Sequence, residues 1–153
     1  MSSFRLNPFF GGIDHLIDLA IIEDVGSGDV TTDAIPHPDE KAIGRIVAKE
    51  SLVIAGLDLA KRVFEKIDNH LSFSSFYTDG DQVSEKQVIA EVNTSMRSLL
   101  IGERTALNFL QRLSGIATHV RNLLGILGDK HIRLVDTRKT IPGWRVLEKY
   151  AVR

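Results

Sequence analysis

The fold depends most on residues 96–128, whose sequence is MRSLLIGERTALNFLQRLSGIATHVRNLLGILG. Its apolar residues recur at helical spacing, which predicts one long helix with a continuous buried face. They are Leu99, Ala106, Leu110, Leu113, Ala117, Val120, Leu124 and Leu127. Residues 93–95 offer possible N-caps and Gly128 a possible stop. Glycine is unfavourable inside a helix, so Gly115 predicts either a close approach or a break between two helices.

The residues before this helix predict an α+β domain with a mostly antiparallel sheet. Apolar residues at helical spacing predict two shorter helices, over Ile13–Ile22 and Leu57–Ile67. Strands are predicted where β-branched or alternating residues dominate, at residues 41–50, 51–55, 71–77 and 82–92. Between the first helix and the first strand, residues 23–40 have no apolar period, and they predict a long structured loop.

Beyond the long helix, His131–Asp136 (HIRLVD) predicts a short strand, followed by a loop and then a helix with Pro142 in its first turn. A single strand of this kind has no successor to pair with, so a larger α/β barrel is expected. We therefore predict an α+β chain in two parts. Residues 1–110 form an N-terminal α/β sandwich domain with the start of the long helix, and residues 111–153 begin a truncated α/β barrel domain.

Charge is distributed unevenly along the chain. Residues 1–96 contain 8 Lys and Arg against 16 Asp and Glu, whereas residues 97–153 contain 11 against 4. The basic segment predicts anionic neighbours, either the acidic first part or ligands that bear carboxylates or phosphates. Nucleic acid is disfavoured because the cations are not interleaved with aromatic residues. No membrane span is predicted, and the absence of cysteine favours a cytoplasmic protein.

Arg138 and Lys139 are the first candidate site residues, since they follow the predicted strand. Ligands of α/β folds bind at the carboxyl ends of strands. Both cations reach one pocket only if the strand ends near Asp136 and the backbone turns at Thr137. The alternative from residue types alone is that both are solvated loop charges, one of them neutralised by Asp136.

Arg104 is the second candidate, because Asn108 and Gln111 share its helix face and form a polar strip with it. The alternative is a surface arginine paired with Glu103 or another carboxylate. The glycine-rich residues 26–33 lack the complete pattern of a phosphate-binding loop, which favours a structural loop. The five histidines lack the spacing of metal ligands, so no protein-built metal site is predicted. Trp144 is interpreted as a core residue.

Three stretches, taken in their order and spacing, resemble the N-terminal half of the quinolinate phosphoribosyltransferase family. They are EDVGSGDVTTDAI at residues 23–35, LLIGERTALNFLQRLSGIATHV at residues 99–120 and LVDTRKTIPGWRVLEKYAVR at residues 134–153. The resemblance extends over nearly the whole chain, and the last two stretches are the more diagnostic. A molybdenum-transport-associated protein has similar motifs.

The resemblance implies a transferase that joins quinolinate to phosphoribosyl pyrophosphate and releases pyrophosphate and carbon dioxide, giving nicotinate mononucleotide for NAD biosynthesis. Mg²⁺ would be carried by phosphoribosyl pyrophosphate. Arg138 and Lys139 would hold carboxylate and phosphate oxygens, with a contribution from Thr137. Arg104 would reach quinolinate across the interface of a homodimer. No catalytic residue is assigned.

Members of this family are nearly twice as long, so we expect a fragment that lacks the rest of the barrel and is inactive alone. The alternative is a non-enzymatic dimerisation or small-anion-binding module. A longer reading frame downstream of Arg153 would favour the first interpretation. A stop codon there, with a folded product, would favour the second.

Overall fold

The computed structural model describes residues 11–26, 39–128 and 131–153. In these ranges the chain forms four helices and five strands. In chain order they are α1 (Gly11–Val25), β1 (Lys41–Val47), β2 (Leu52–Val53), α2 (Leu57–Ile67), β3 (Ser72–Ser75), β4 (Gln82–Val83), β5 (Val88–Ser95), α3 (Met96–Leu127) and α4 (Arg145–Val152). Most of the predicted loop, including residues 27–33 of the glycine-rich stretch, lies outside the described residues.

The strands form two small antiparallel sheets, which confirms the predicted sheet type. The three-stranded sheet has the order β1-β5-β3, and β2 pairs with β4 in the other. The β1–β5 register begins with Lys41 opposite Ser95, and it shifts at a bulge between Ile46 and Val47. Residues 82–92, predicted as one strand, contain both β4 and the first part of β5. A backbone reversal separates them, in which Lys86 has a positive φ of 67°.

The helix α3 joins the two parts of the chain without a break. Its N-terminus is capped by Ser95, whose hydroxyl accepts a hydrogen bond from the Ser98 N–H at 3.1 Å. Its C-terminus ends at Gly128, which has a φ of 57°. Both predicted ends are therefore confirmed. The predicted domain division at residues 110 and 111 falls inside this continuous helix and stays a prediction.

The close approach predicted for Gly115 occurs instead at Gly102. A Cβ atom at Gly102 would lie 2.6 Å from ring atoms of Phe64, so only glycine allows α2 to pack this closely on α3. A Cβ atom at Gly115 would meet nothing within 4 Å, and the helix does not break there. Both alternatives stated for Gly115 are therefore wrong within the described residues, because an apolar pattern cannot show which glycine faces a neighbour.

The main core is formed by α1, α2, the central strand β5, the first half of α3, and α4. Its buried members include Ile17, Leu59, Val63, Val92, Ala106, Phe109, Leu113, Leu147 and Ala151. The ring of Trp144 stacks on Phe109 with 5.0 Å between ring centroids, and this contact attaches the start of α4 to α3. The interpretation of Trp144 as a core residue is confirmed.

The segment before α4 differs from the prediction. His131–Asp136 forms no strand hydrogen bonds with any described residue, so the predicted strand is absent. A strand needs a neighbour to accept and donate its backbone hydrogen bonds, and no described strand lies beside it. Pro142 also precedes the helix rather than opening it, because α4 begins at Arg145. In the described part of the chain, no helix is both long and apolar enough to cross a bilayer.

Candidate active site

A series of local hydrogen bonds shapes the backbone from Thr137 to Trp144. The Thr137 hydroxyl accepts a bond from the Lys139 N–H at 3.2 Å, and the Thr140 N–H donates to the Arg138 carbonyl at 3.1 Å. The Trp144 N–H then donates to the Ile141 carbonyl at 3.0 Å. These bonds turn the chain immediately after Asp136. This is the position at which a turn is predicted to be necessary if Arg138 and Lys139 are to reach one pocket.

Gly143 completes this segment, because it follows Pro142 and has a φ of 82°. Proline followed by a glycine of positive φ is typical of a type II turn. Proline and glycine here therefore form a turn that leads into α4, and a residue with a side chain at position 143 would be strained.

A cleft of about 780 Å³ lies between the second half of α3, residues 134–140 and α4. Its lining combines apolar and polar residues from all three segments. The apolar ones are Ile116, Val120, Leu123, Leu124, Leu134, Val135 and Val152, and the polar or charged ones are Gln111, Arg112, His119, Asp136, Thr137, Lys139, Thr140, Glu148 and Lys149. A cleft lined by apolar side chains and a few charged groups has the composition of a small-molecule site.

Two of the three cations of this cleft are already paired with carboxylates. Arg112 Nη2 lies 3.0 Å from Glu148 Oε1, and Lys149 Nζ lies 2.5 Å from Asp136 Oδ2. Lys139 is the third, and no described carboxylate forms an ion pair with it. The prediction that Asp136 neutralises Arg138 or Lys139 is wrong, since Asp136 pairs with Lys149. The cleft therefore offers one ammonium group to an incoming anion.

The two adjacent cations do not face the same space. Among the described lining residues of the cleft, Thr137 and Lys139 are present and Arg138 is not. Arg138 is exposed, and it forms no ion pair with the described residues. The structure thus places Thr137 and Lys139 in the lining of one cleft, while Arg138 is exposed and is not among the described residues that line it.

Arg104 lies at a different place, a polar cavity of about 380 Å³ beside the Phe109–Trp144 stack. Its Nη1 donates to Asp24 Oδ1 at 2.6 Å, which links α3 to the end of α1. The pairing with a carboxylate other than Glu103, stated as the alternative, is confirmed. Asn108 lines this cavity with Arg104, whereas Gln111 lines the cleft of Lys139. Arg104 and Lys139 therefore do not share a described cavity within one chain.

The position of α4 depends on a hydrogen bond to the first part of the chain. The Tyr150 hydroxyl donates to Asp79, whose carboxylate also accepts the N–H groups of Gly56 at 2.8 Å and Leu57 at 3.1 Å. Burial and then the Asp79 hydrogen bond raise the pKa of Tyr150 above its ordinary value, so the phenol stays a neutral donor. This bond supports the wall of the cleft that carries Glu148 and Lys149.

Sequence reasoning missed the carboxylates that neutralise the site cations. Asp24 belongs to the first of the three family-like stretches, residues 23–35. Nothing in the local sequence indicates that its partner is an arginine 80 residues away. The Arg112–Glu148 pair spans 36 residues and has no helical or strand spacing to reveal it. Among the described residues, no group of three or more His, Asp or Glu side chains is placed to hold a metal ion.

Two family models match successive parts of the sequence. Residues 29–114 match the model described as quinolinate phosphoribosyl transferase, N-terminal domain, and residues 116–153 match the C-terminal domain of the same family. A probable nicotinate-nucleotide pyrophosphorylase (carboxylating) of Bacillus subtilis is 42% identical over 92% of this chain and 48% of its own length. The corresponding Synechocystis protein is 43% identical with the same coverage.

Solved structures give the same result. NadC from Streptococcus pyogenes superposes with a TM-score of 0.87 at 44% identity, over 92% of this chain and 51% of that one. The nicotinate-nucleotide pyrophosphorylase of Francisella tularensis has a TM-score of 0.87 at 34% identity, over 92% and 50%. The chain thus spans about half the length of the curated relatives it matches. With both domain models matched in order and the fold shared with these enzymes, the chain belongs to the quinolinate phosphoribosyltransferase family.

Proposed function

We propose that this chain takes part in phosphoribosyl transfer from phosphoribosyl pyrophosphate to quinolinate. The pyridine nitrogen attacks the anomeric carbon of the ribose, and pyrophosphate leaves with the electrons of the broken bond. The carboxylate next to the ring nitrogen is then lost as carbon dioxide, and the ring carbon that carried it takes up a proton to give nicotinate mononucleotide. The proposal is supported by the names of the relatives and by the anion-binding geometry of the cleft.

The observation that carries the proposal is the presence of Lys139, a cation, in the lining of the cleft. Arg112 and Lys149 already have carboxylate partners there, whereas Lys139 has none among the described residues. A cation in a cleft binds a carboxylate or phosphate more strongly once water is excluded. In this role Lys139 and Thr137 bind substrate oxygens and hold the pyridine ring in place for attack. Arg138 binds a further carboxylate or phosphate oxygen from outside the walls that this chain supplies.

Arg104 has its role across a homodimer interface in this proposal. Support comes from the separation of Arg104 and Lys139 into different cavities of one chain. The apolar side chains of Ile43, Val47 and Met96 are exposed around a further cavity of about 500 Å³, which is also lined by Glu103, the residue before Arg104. Burial of such residues against a second copy would be favourable. A partner chain would then bring its Arg104 to the cleft of Lys139.

Mg²⁺ enters this reaction bound to phosphoribosyl pyrophosphate, as part of the substrate. The described residues of this chain would meet that substrate with cations, and the ion would reduce the charge of the pyrophosphate as it leaves. A cytoplasmic location belongs to the proposal too, and some plant relatives carry the words mitochondrial or chloroplastic in their names. Neither nucleic acid nor a membrane is needed as a partner.

The activity can be tested in a chimera that joins residues 1–153 to the unmatched half of the Bacillus subtilis relative. With quinolinate, phosphoribosyl pyrophosphate and Mg²⁺, the chimera is expected to produce nicotinate mononucleotide and carbon dioxide. Lys139→Ala should raise the KM for quinolinate or phosphoribosyl pyrophosphate by about 10- to 100-fold, because a charge-assisted hydrogen bond is lost. Arg138→Ala and Arg104→Ala should show losses of similar size.

Arg133→Ala is the matched control, since Arg133 is an exposed cation of the same segment that does not line the cleft and, unlike Arg138, has no proposed substrate contact. It should leave both KM values within about twofold, as a surface charge normally does. Unchanged kinetics in the Lys139 variant would contradict the proposed site. Binding of quinolinate by the chimera without any product would instead favour the non-enzymatic anion-binding module.

Complementation between two inactive variants tests the homodimer and the role of Arg104 across it. Chimeras carrying Arg104→Ala and Lys139→Ala are mixed and allowed to exchange subunits. If each site takes Arg104 from its neighbour, every mixed dimer has one intact site, and activity returns to about a quarter of the wild-type value at random exchange. If both residues act within one chain, mixing restores nothing.

A further inference from the structure

The ion pair between Asp24 and Arg104 is unequal in its exposure. The Asp24 side chain is only 20% exposed, whereas that of Arg104 is 72% exposed. Asp24 lies in the last turn of α1, and the apolar face of α1 is buried in the core through Ile13 and Ile17. The carboxylate is therefore held by the fold, and the guanidinium extends from it toward solvent.

An arginine with this much exposure would normally sample many rotamers. The bond from Arg104 Nη1 to Asp24 Oδ1 at 2.6 Å restricts it to a narrow range, because a charge-assisted hydrogen bond of this length is directional. The guanidinium has five donors in a rigid fork, so the bond from Nη1 to Asp24 limits the directions in which the other donors can point.

We propose that Asp24 is a positioning residue that holds the Arg104 guanidinium in the orientation needed to bind a substrate carboxylate. This inference rests on the proposed role of Arg104 and adds the residue through which that role is set. Asp24 does not touch the substrate. Because Asp24 already restricts the guanidinium, Arg104 loses less conformational entropy when it binds the substrate. A supporting residue strengthens a site in this way.

The chimera tests this with Asp24→Ala, Asp24→Glu and Arg104→Ala. Asp24→Ala should raise the KM for quinolinate about tenfold while kcat and the KM for phosphoribosyl pyrophosphate stay within about twofold, because only the aim of Arg104 is lost. Asp24→Glu should restore part of the quinolinate affinity, since it returns a carboxylate to the arginine. The thermal midpoint should change little in both variants, as expected for an ion pair with an exposed partner.

Asp39→Ala is the control, because Asp39 pairs with Arg97 of the same helix at 3.2 Å, but there the carboxylate is the more exposed partner. It should leave the KM for quinolinate unchanged. In the double variant Asp24→Ala/Arg104→Ala, the KM should equal that of Arg104→Ala alone, since Asp24 acts only through Arg104.

The inference is overturned if Arg104→Ala raises the KM for quinolinate and Asp24→Ala does not, or if the two effects add in the double variant. In either case the proposed function still stands. If Arg104→Ala itself leaves the KM unchanged, the proposed role of Arg104 fails first, and the role of Asp24 fails with it.

Discussion

The two halves of α3 carry the same apolar pattern but lie in different surroundings. Up to Ser114 the patterned face is buried, and Ala106, Phe109 and Leu113 belong to the main core. Beyond it, Ala117, Val120 and Leu127 of the same face are only partly buried, and Leu124 is 49% exposed. An apolar period predicts which side of a helix prefers burial, but burial itself requires a neighbouring element that supplies the opposite surface.

The same contrast separates the two sites of the chain. Arg104 lies on the packed half of α3 and has its orientation set by a half-buried carboxylate. Lys139 lines a cleft with residues of the less covered half, together with several apolar side chains. The Arg104 site is already ordered by its surroundings, whereas the cleft of Lys139 needs additional protein or ligand surface to exclude water.

The largest difference between the two halves of α3 is expected when a leucine side chain is removed from each. Leu113→Ala should lower the free energy of unfolding by about 3 kcal/mol, because it leaves a cavity in the core. Leu124→Ala should change it by less than about 0.5 kcal/mol, because Leu124 is half exposed. Urea unfolding followed by the fluorescence of Trp144 measures both, and equal losses would show that the second half of α3 is covered in solution.

Alanine substitutions at two glycines of α3, one in each half, are expected to change stability in opposite directions. Gly102→Ala should destabilise the chain by about 1 to 3 kcal/mol, since its Cβ would collide with the Phe64 ring at 2.6 Å. Gly115→Ala should stabilise it by up to about 1 kcal/mol, because alanine is the better helix former and the site is open. Gly125→Ala, also open, is the control for the propensity gain. A destabilising Gly115→Ala would reveal a contact on the second half of α3.

The smallest expected effect is a pH dependence that belongs to the packed region. The Thr94 hydroxyl donates to Asp68 at 2.5 Å and the His70 N–H at 2.9 Å, and these bonds hold the pKa of Asp68 below its ordinary value of 3.8. A lowered pKa in the folded state adds stability above pH 3.8, and this stability disappears as the pH falls through the folded pKa. Asp68→Asn should therefore be less stable than the wild type at neutral pH and equal to it in acid.

Thermal denaturation of both proteins from pH 7 down to about pH 2 would measure this difference. A constant difference in thermal stability between the two proteins across that pH range would mean that Asp68 does not titrate with a lowered pKa. Thr94→Val provides a second variant, because it removes the hydrogen bond that lowers the pKa of Asp68 most and keeps the carboxylate.

Local chemistry explains which features could be predicted. The ends of α3 depend on Ser95 and Gly128, and both act on groups within four residues along the chain. The turn after Asp136 depends on Thr137 in the same way. The pairing of Arg104 with Asp24, and of Arg112 with Glu148, joins residues 80 and 36 positions apart. No periodicity connects such residues, so only the folded chain could show which carboxylate each cation has.

Taken alone, the amino-acid sequence determined the α+β class, the long helix with its caps, the antiparallel pairing and the position of the candidate cations. These follow from backbone preferences and from the spacing of apolar side chains, which act over a few residues. Only the tertiary structure decided that Gly102 rather than Gly115 lies at the close contact, that residues 131–136 form no strand, and that Lys139 keeps its charge available in the cleft. These outcomes depend on which surfaces meet, because burial, strand pairing and charge neutralisation all require a partner from elsewhere in the chain.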